Sequence, residues 1–252
     1  MSAPVLELDA VRFDYVAGPP WARRRVPALH GVSLAAGRGE TVGLVGESGS
    51  GKSTIGKLCL GLLRPQQGAV RFDGAPLDRR AQRGRFAVVL QHPQWSLDPR
   101  LTVAASIEEP LAISGTGTKA SRRAQVEQML AEVGLDRDFA DRYPAELSGG
   151  QRQRASVARA LITEPRFVLF DEAVSALDVS IQSQILNLIR RLQRQHGFAA
   201  LFISHDLAAT RYAADRIVVM RGGEIVDEGT AASFYEPSTH PYTRALQRAS
   251  EI

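Results

Sequence analysis

The sequence predicts an α/β protein with a mixed, largely parallel core sheet, an N-terminal antiparallel β-subdomain and an inserted helical subdomain. Short, wholly apolar runs at 167–170 and 199–203 alternate with helical patterns, which is typical of buried parallel strands. Residues 5–15 alternate apolar and polar side chains, as a strand of an antiparallel sheet does. Residues 92–163 are mainly helical in pattern. We therefore predict one domain, in which 1–91 and 164–252 form the α/β core with its β-subdomain and 92–163 form the helical subdomain.

The remaining elements follow from hydrophobic periodicity and from glycines and prolines at their ends. Residues 119–133 place Val126, Met129, Leu130 and Val133 on one helical face, and Gly134 follows as a stop. The predicted strands are 28–34, 41–45, 69–72, 86–90 and the hairpin 217–220 with 224–227. The further predicted helices are 55–63, 102–113, 151–162 and 181–196, and residues 21–25 are predicted as an exposed basic loop.

Length and composition favour a protein with a sizeable core, because 44% of its 252 residues are hydrophobic. The net charge is +4, and the three lysines and 28 arginines are scattered, which favours ordinary surface charge over nucleic-acid binding. Cys59 is the single cysteine, so an internal disulfide is excluded, and its apolar helical surroundings predict a buried side chain. The N-terminus has no signal-peptide pattern and no apolar run reaches membrane-spanning length. We expect a cytoplasmic protein whose membrane role comes through partners.

The glycine-rich segment between the 41–45 strand and the following helix fits the pattern G-x-x-x-x-G-K-[ST] of a phosphate-binding loop. Glycines allow backbone N–H groups to approach a polyphosphate, and the helix N-terminus adds partial positive charge. Lys52 supplies a full charge for the β- and γ-phosphates, and the Ser53 hydroxyl is a candidate Mg2+ ligand. The predicted ATP-binding residues of this loop are Gly46, Glu47, Ser48, Gly49, Ser50, Gly51, Lys52, Ser53 and Thr54.

Asp171 and Glu172 stand at the end of the buried 167–170 strand. Ligands of α/β sheets bind outside the carboxyl ends of the strands. We therefore predict that Asp171 holds Mg2+ and that Glu172 polarises an attacking water. A base positioned in this way contributes roughly a hundredfold to ten-thousandfold in rate.

Residues 147–154, Leu-Ser-Gly-Gly-Gln-Arg-Gln-Arg, place a serine and two glycines at a helix start and so form a second candidate anion site. The segment lies between the phosphate loop and the Asp-Glu strand end. In this order the three elements resemble the ATP-binding-cassette (ABC) ATPases. The resemblance implies that Ser148, Gly149, Gly150 and Gln151 close over the nucleotide held by the opposite subunit of a dimer.

The resemblance also implies roles for four further residues. Tyr15 resembles the aromatic residue that stacks on adenine. Gln91 resembles the glutamine that reaches Mg2+ and the attacking water, and His205 the histidine that contacts the γ-phosphate. Asp178 ends a segment, 175–178, that resembles the loop crossing the dimer interface. The implied cofactors are ATP and Mg2+, and the implied catalytic residues are Glu172, His205 and Gln91.

Two segments indicate a branch of the ABC family. Residues 91–103 and 240–246 resemble the corresponding segments of ATPases that serve dipeptide, oligopeptide and nickel importers. This chain departs from the usual pattern at two positions. An acidic residue is commoner where His92 stands, and asparagine is commoner where Asp98 stands. Ala173, where proline is commoner, resembles the nickel and metallophore systems. The branch implies two integral-membrane permeases, a second ABC ATPase, and indirectly an extracytoplasmic substrate-binding protein, with this chain peripheral on the inner face of the membrane.

Three functions remain open on the sequence. The favoured one is the energy-coupling ATPase of an importer for peptides, nickel or metal–metallophore complexes. The second is a soluble ABC ATPase in an enzyme assembly such as carbon–phosphorus lyase. The third, a nucleic-acid-associated ABC protein, is disfavoured because such proteins usually carry a coiled-coil insertion or two cassettes, and this chain has neither.

Overall fold

The computed structural model describes residues 3–19, 21–92, 96–235 and 240–250. Its strands are β1 (Leu6–Ala17), β2 (Arg24–Ala36), β3 (Thr41–Gly46), β4 (Gln67–Phe72), β5 (Ala75–Pro76), β6 (Phe86–Leu90), β7 (Phe167–Asp171), β8 (Ala199–Ile203), β9 (Arg216–Arg221) and β10 (Glu224–Thr230). Its α-helices are α1 (Lys52–Cys59), α2 (Val103–Ser114), α3 (Lys119–Glu132), α4 (Gly149–Leu161), α5 (Val179–His196), α6 (Leu207–Ala213) and α7 (Pro241–Ser250). Within the described residues, 3-10 turns lie at Arg137–Asp141, Pro144–Glu146 and Ser233–Tyr235.

The chain divides into two compact units, one of Met1–Ala81 with Ala199–Ile252 and one of Gln82–Phe198. In the first unit, β2, β1, β4 and β5 form an antiparallel sheet in that order. Strand β3 pairs in parallel with β8 on one side and β9 on the other, and β10 pairs antiparallel with β9. All six residues of β3 are buried, as a central parallel strand requires. The predicted antiparallel subdomain and mixed core sheet are confirmed.

Hydrogen bonds join the antiparallel sheet to the core strands of the same unit. The N–H of His30 in β2 donates to the carbonyl oxygen of Gly223, between β9 and β10, at 2.9 Å. The Arg216 guanidinium donates to the carbonyl oxygen of Ala35 at 2.6 Å and to Glu40 Oε1 at 3.0 Å. These bonds fix the end of β2 against β9, so the turn that leads into β3 is held at both of its ends.

The second unit combines one parallel strand pair with four helices. Strands β6 and β7 align from Phe86↔Phe167 to Leu90↔Asp171. Thr102 caps α2 through a bond from the Ala105 N–H, and Gly197 ends α5 in the left-handed conformation. The predicted helices 102–113, 119–133, 151–162 and 181–196 are confirmed within two residues at each end.

Two local predictions were wrong. The helix predicted over 55–63 is α1, which begins at Lys52 and ends at Cys59, because Gly61 has a φ of 64° and its N–H closes the helix onto Leu58. The basic loop predicted over 21–25 is shorter, because Arg24 and Arg25 already pair with the end of β1.

Cys59 is fully buried in α1, as predicted. Burial raises the pKa of the Cys59 thiol far above its ordinary value, because the thiolate would lose its hydration. The thiol is therefore protonated and behaves as a small apolar side chain.

Gly43 in β3 lies directly under α6. A Cβ atom on Gly43 would come within 2.3 Å of Thr210 Cγ2 and 3.0 Å of Ala214 Cβ.

We expect Gly43→Ala to lower the free energy of unfolding by about 1–3 kcal/mol, because the added methyl group overpacks the contact and pushes α6 away from β3. Chemical denaturation measures the change. Gly229→Ala is the matched control, since its Cβ would lie 3.7 Å from Ser233 Oγ. Equal stabilities of the two variants would contradict the close approach.

Candidate functional site

The loop between β3 and α1 has room only for glycine at both ends. Gly46 and Gly51 have φ angles of 148° and 108°, and Gly49 between them has 81°. A Cβ on Gly46 would lie 2.2 Å from the Met220 carbonyl oxygen, and one on Gly51 would lie 2.8 Å from Leu29 Cδ2. The backbone therefore turns from strand to helix in a conformation that side chains forbid.

The loop and the start of α1 present donors of the kind that bind phosphate. Gly51 is the N-cap of α1 and has no side chain to bond the first helical N–H groups. The Lys52 side chain is 8% exposed, and its ammonium donates to the carbonyl oxygens of Gly46 at 2.7 Å and Glu47 at 2.8 Å. Ser53, the predicted Mg2+ ligand, is exposed in the first turn of the helix. This donor set fits a polyphosphate and leaves the Ser53 hydroxyl accessible to a metal ion.

Tyr15 and His205 lie in the same unit as the phosphate loop. The Tyr15 hydroxyl is 3.2 Å from Thr54 Oγ1, which places the predicted adenine-stacking residue beside the first turn of α1. His205 follows β8 and is exposed, and β8 is the parallel neighbour of β3. The loop and His205 therefore both leave the carboxyl edge of adjacent strands. Asp206 fixes the backbone after His205 by accepting the Ala209 N–H at the start of α6.

In the second unit, Gln91, Asp171 and Glu172 meet at the carboxyl edge of β6 and β7. Asp171 pairs with Leu90, so Gln91 and Glu172 are the first residues beyond the paired strands. Glu172 has a φ of 51°, which is unusual for a residue with a side chain. Ser175 holds this conformation, since its N–H and its hydroxyl both donate to the Glu172 carbonyl oxygen, at 3.2 and 2.9 Å.

Gln153 of α4 is a supporting residue that the sequence analysis did not identify. Its side chain is fully buried, and its amide nitrogen donates to the Ala173 carbonyl oxygen at 2.7 Å. The bond ties the helix after the serine–glycine segment to the peptide after Glu172. A signal was present: Gln153 stands four residues before Val157 and seven before Ala160, so helical spacing places its amide among the buried positions of α4.

The serine–glycine segment forms a capped helix start. Ser148 Oγ accepts the Gln151 N–H at 3.3 Å, and Gln151 Oε1 accepts the Ser148 N–H at 2.8 Å. A Cβ on Gly150 would come within 2.8 Å of Ile181 Cγ2, so glycine lets α5 approach α4 closely. Asp178 is the N-cap residue of α5 and is exposed. The segment and Asp178 thus begin two adjacent helices of this unit.

The segment after Gln91 contains a turn at 98–101, in which the Leu101 N–H donates to the Asp98 carbonyl oxygen. Pro93, Gln94 and Trp95 lie outside the described residues, and Leu97 is buried. Asp98 accepts bonds from Arg100 Nε at 3.0 Å and Nη2 at 2.8 Å, and these bonds lower the pKa of the Asp98 carboxyl to about 2. A carboxyl whose pKa is lower in the folded state than in the unfolded state stabilises the fold above its ordinary pKa. This contribution is lost as pH falls through the pKa of the folded state. The Asp98–Arg100 pair is therefore intact near neutral pH.

The predicted site residues fall into two groups. The first unit brings together Tyr15, the loop 46–54 and His205. The second unit holds Gln91, Asp171 and Glu172 at one strand edge, and Ser148, Gly149, Gly150, Gln151 and Asp178 at the starts of α4 and α5. Within the described residues, no helix combines the length and apolar character that crossing a membrane requires.

Comparison with known proteins identifies the family. A family model described as ABC transporter matches residues 29–175. A peptide import ATP-binding protein of Brucella ovis is 48% identical over 227 residues, covering 88% of this chain and 72% of the relative. A protein of the same description from Brucella abortus is 46% identical over 246 residues, covering 94% and 74%.

Solved structures share the fold. The structure of cbiO1 from Clostridium perfringens, part of the ABC transporter complex cbiONQ, has a TM-score of 0.83 at 25% identity and covers 93% of this chain and 91% of its own. The ATP-binding cassette MJ0796, in a dimeric post-hydrolysis state with ADP and Pi, has a TM-score of 0.76 at 31% identity and covers 90% and 98%. The family and fold class predicted from the sequence are confirmed. The chain belongs to the ABC transporter family, and the reaction of this ATP-binding subunit is ATP hydrolysis.

Proposed function

We propose that this chain energises a peptide importer and works as a pair of cassettes beneath two permeases at the inner face of the cell membrane. The observation that carries the proposal is the similarity of 46–48% over most of the chain to proteins named for peptide import. The resemblance of segments 91–103 and 240–246 to peptide and nickel importers supports the same branch. Nickel and metallophore complexes are the alternative substrates, favoured by Ala173 alone.

The phosphate loop supplies the binding half of the proposed site. Backbone N–H groups at the start of α1 and the Lys52 ammonium hold the phosphates of ATP. Ser53, Asp171 and Gln91 are the proposed Mg2+ ligands, and the bound ion would neutralise charge that develops on the phosphates. Tyr15 supports the base, and His205 contacts the terminal phosphate.

Glu172 is the proposed general base, and its backbone supports that role. A residue with a side chain in the left-handed region is strained by roughly 1–3 kcal/mol and persists only where its surroundings hold it. Here Ser175 holds the Glu172 carbonyl and Gln153 holds the next one. Three bonds to these two successive carbonyls hold the backbone from which the carboxylate projects, and a base must be positioned before its pKa matters.

Ser148, Gly149, Gly150 and Gln151 are proposed to complete the site of a second subunit. The capped start of α4 presents helix N–H groups to an anion, which suits the γ-phosphate. ATP would then bridge two cassettes, and its hydrolysis would remove the bridge. The difference in affinity of the closed pair for ATP and ADP would drive the permeases between conformations. The dimeric state described for MJ0796 supports this arrangement.

Two substitutions separate binding from turnover. We expect Lys52→Ala to weaken ATP binding at least tenfold, because it removes the only positively charged side chain in the loop. We expect Glu172→Gln to leave ATP affinity within about twofold while turnover falls at least a hundredfold, because the amide cannot accept the proton. Fluorescent-nucleotide titration and phosphate release measure the two quantities. Turnover of Glu172→Gln near that of the parent would exclude Glu172 as the base.

Removing the amide of Gln153 tests how Glu172 is held. Gln153→Leu leaves the buried Ala173 carbonyl oxygen without this donor, so we expect the free energy of unfolding to fall by about 1–3 kcal/mol. Turnover should fall further than ATP affinity, because the substitution acts on the base. Gln125→Leu on the exposed face of α3 is the control and should change stability by less than about 0.5 kcal/mol. The proposal for Gln153 fails if both variants behave alike.

The partners can be identified directly. We expect a tagged form of this chain, captured from gently solubilised membranes, to bring down two multi-span permeases and a second ABC ATPase, identified by mass spectrometry. The associated binding protein can then be titrated with peptides, nickel and metallophore complexes, and peptides should bind most tightly. Capture of soluble enzyme subunits without a permease would instead support an assembly such as carbon–phosphorus lyase.

A further inference from the structure

The C-terminal helix contacts the phosphate loop through one side chain. The Tyr242 hydroxyl oxygen accepts the backbone N–H of Glu47 at 3.2 Å, between residues 195 positions apart in sequence. Glu47 is the second residue of the loop, and its carbonyl oxygen already accepts a bond from the Lys52 ammonium. Residue 47 is thus held at its N–H by α7 and at its carbonyl by the lysine that faces the phosphates.

Tyr242 is itself held in place around its ring. The guanidinium carbon of Arg221 lies 4.8 Å from the ring centroid, which is a cation–π distance. The Tyr242 N–H donates to His240 Nδ1 at 3.2 Å. The ring also packs against a buried apolar cluster that includes Val45, the residue before the loop. The hydroxyl therefore has a defined position, because the Tyr242 ring that bears it packs against residues of β3 and β9.

The rest of the helix is anchored by buried polar contacts. Thr243, fully buried, donates from its hydroxyl to Asp227 Oδ2 at 2.7 Å, and the His240 N–H donates to the same oxygen at 3.0 Å. The Gln247 amide donates to the Phe234 carbonyl oxygen. Asp227 belongs to β10, so α7 is tied to the sheet that also carries the loop. These bonds do not involve the Tyr242 hydroxyl, and they remain when it is removed.

We propose that Tyr242 is a positioning residue for nucleotide binding, and that its hydroxyl holds the Glu47 peptide so that the phosphate loop is formed before ATP arrives. The proposal rests on the assignment of residues 46–54 as the ATP-binding loop. When the loop is preformed, less binding free energy is lost in ordering its backbone, so the affinity for ATP is higher. The hydroxyl does not contact the reacting atoms in this assignment, and it acts through the peptide at Glu47.

Tyr242→Phe in the 252-residue chain removes the hydroxyl and keeps the ring against Arg221 and the apolar cluster. We expect the dissociation constant and the KM for ATP to rise about threefold to tenfold, the effect of one lost hydrogen bond, while kcat changes less than twofold. Amide exchange at Glu47 in the nucleotide-free protein should accelerate by a similar factor. The melting temperature and the amide exchange of residues 243–250 should stay at the parent values. A merely structural role would instead lower the melting temperature and accelerate that exchange.

Two controls separate this inference from the proposed function. Tyr143→Phe makes the same change on a tyrosine of the other unit, 48% exposed, and should leave affinity and Glu47 exchange unchanged. Lys52→Ala should abolish most binding. If Lys52→Ala loses binding but Tyr242→Phe keeps the parent affinity and Glu47 exchange, the role of Tyr242 is overturned and the ATP site stands. A parallel fall of melting temperature, affinity and kcat in Tyr242→Phe also overturns it. Parent-like binding by Lys52→Ala would overturn the ATP-site assignment and the inference together.

Discussion

The structure of the first unit depends on a steric constraint at the end of β3. The strand is buried on both faces, and the chain must then turn into α1 within five residues while passing against Met220 and Leu29. Only residues without a side chain fit at Gly46 and Gly51. The same absence of side chains leaves backbone N–H groups uncovered, so the packing constraint and the capacity to bind phosphate have one cause. The antiparallel sheet contacts this turn through Leu29, and α7 contacts it through Tyr242.

The second unit depends on a different constraint, which is the backbone conformation of Glu172 directly after β7. Glu172 leaves the strand in a left-handed conformation that costs energy. Ser175 supports it locally, whereas Gln153 of α4 bonds the carbonyl oxygen of the next residue, Ala173, 20 positions later in the chain. Because α4 begins with the serine–glycine segment, any shift of that helix also acts on the peptide that follows Glu172. The proposed anion binding at the helix start and the backbone of the proposed base are therefore connected through α4 within this unit.

Sequence patterns predicted most of the fold, for identifiable reasons. Strand β8 was predicted closely because it is an all-apolar run that ends where polar residues begin. Helix α5 was predicted closely because its regular helical spacing ends at Gly197. The early end of α1 was missed, because Leu62 and Leu63 continue the apolar pattern after Gly61 has already turned the chain. The spacing of α4 marks Gln153 as buried, but its bond to Ala173 and the bond between Glu47 and Tyr242 join residues distant in sequence and could not be predicted. Candidate residues of the nucleotide site could be named because the loop, the Asp-Glu pair and the serine–glycine segment are local patterns, and their roles stay predictions.

The burial of Cys59 gives the protein a useful experimental property. The chain has a single thiol, and that thiol is enclosed in the first turns after the phosphate loop with its ionisation suppressed. Alkylating reagents require a thiolate, so the folded chain is in effect unreactive toward them. A cysteine introduced at an exposed position can therefore carry a spectroscopic label without removal of the native residue. Conversely, labelling of Cys59 itself would report transient opening of α1, the element that carries Lys52.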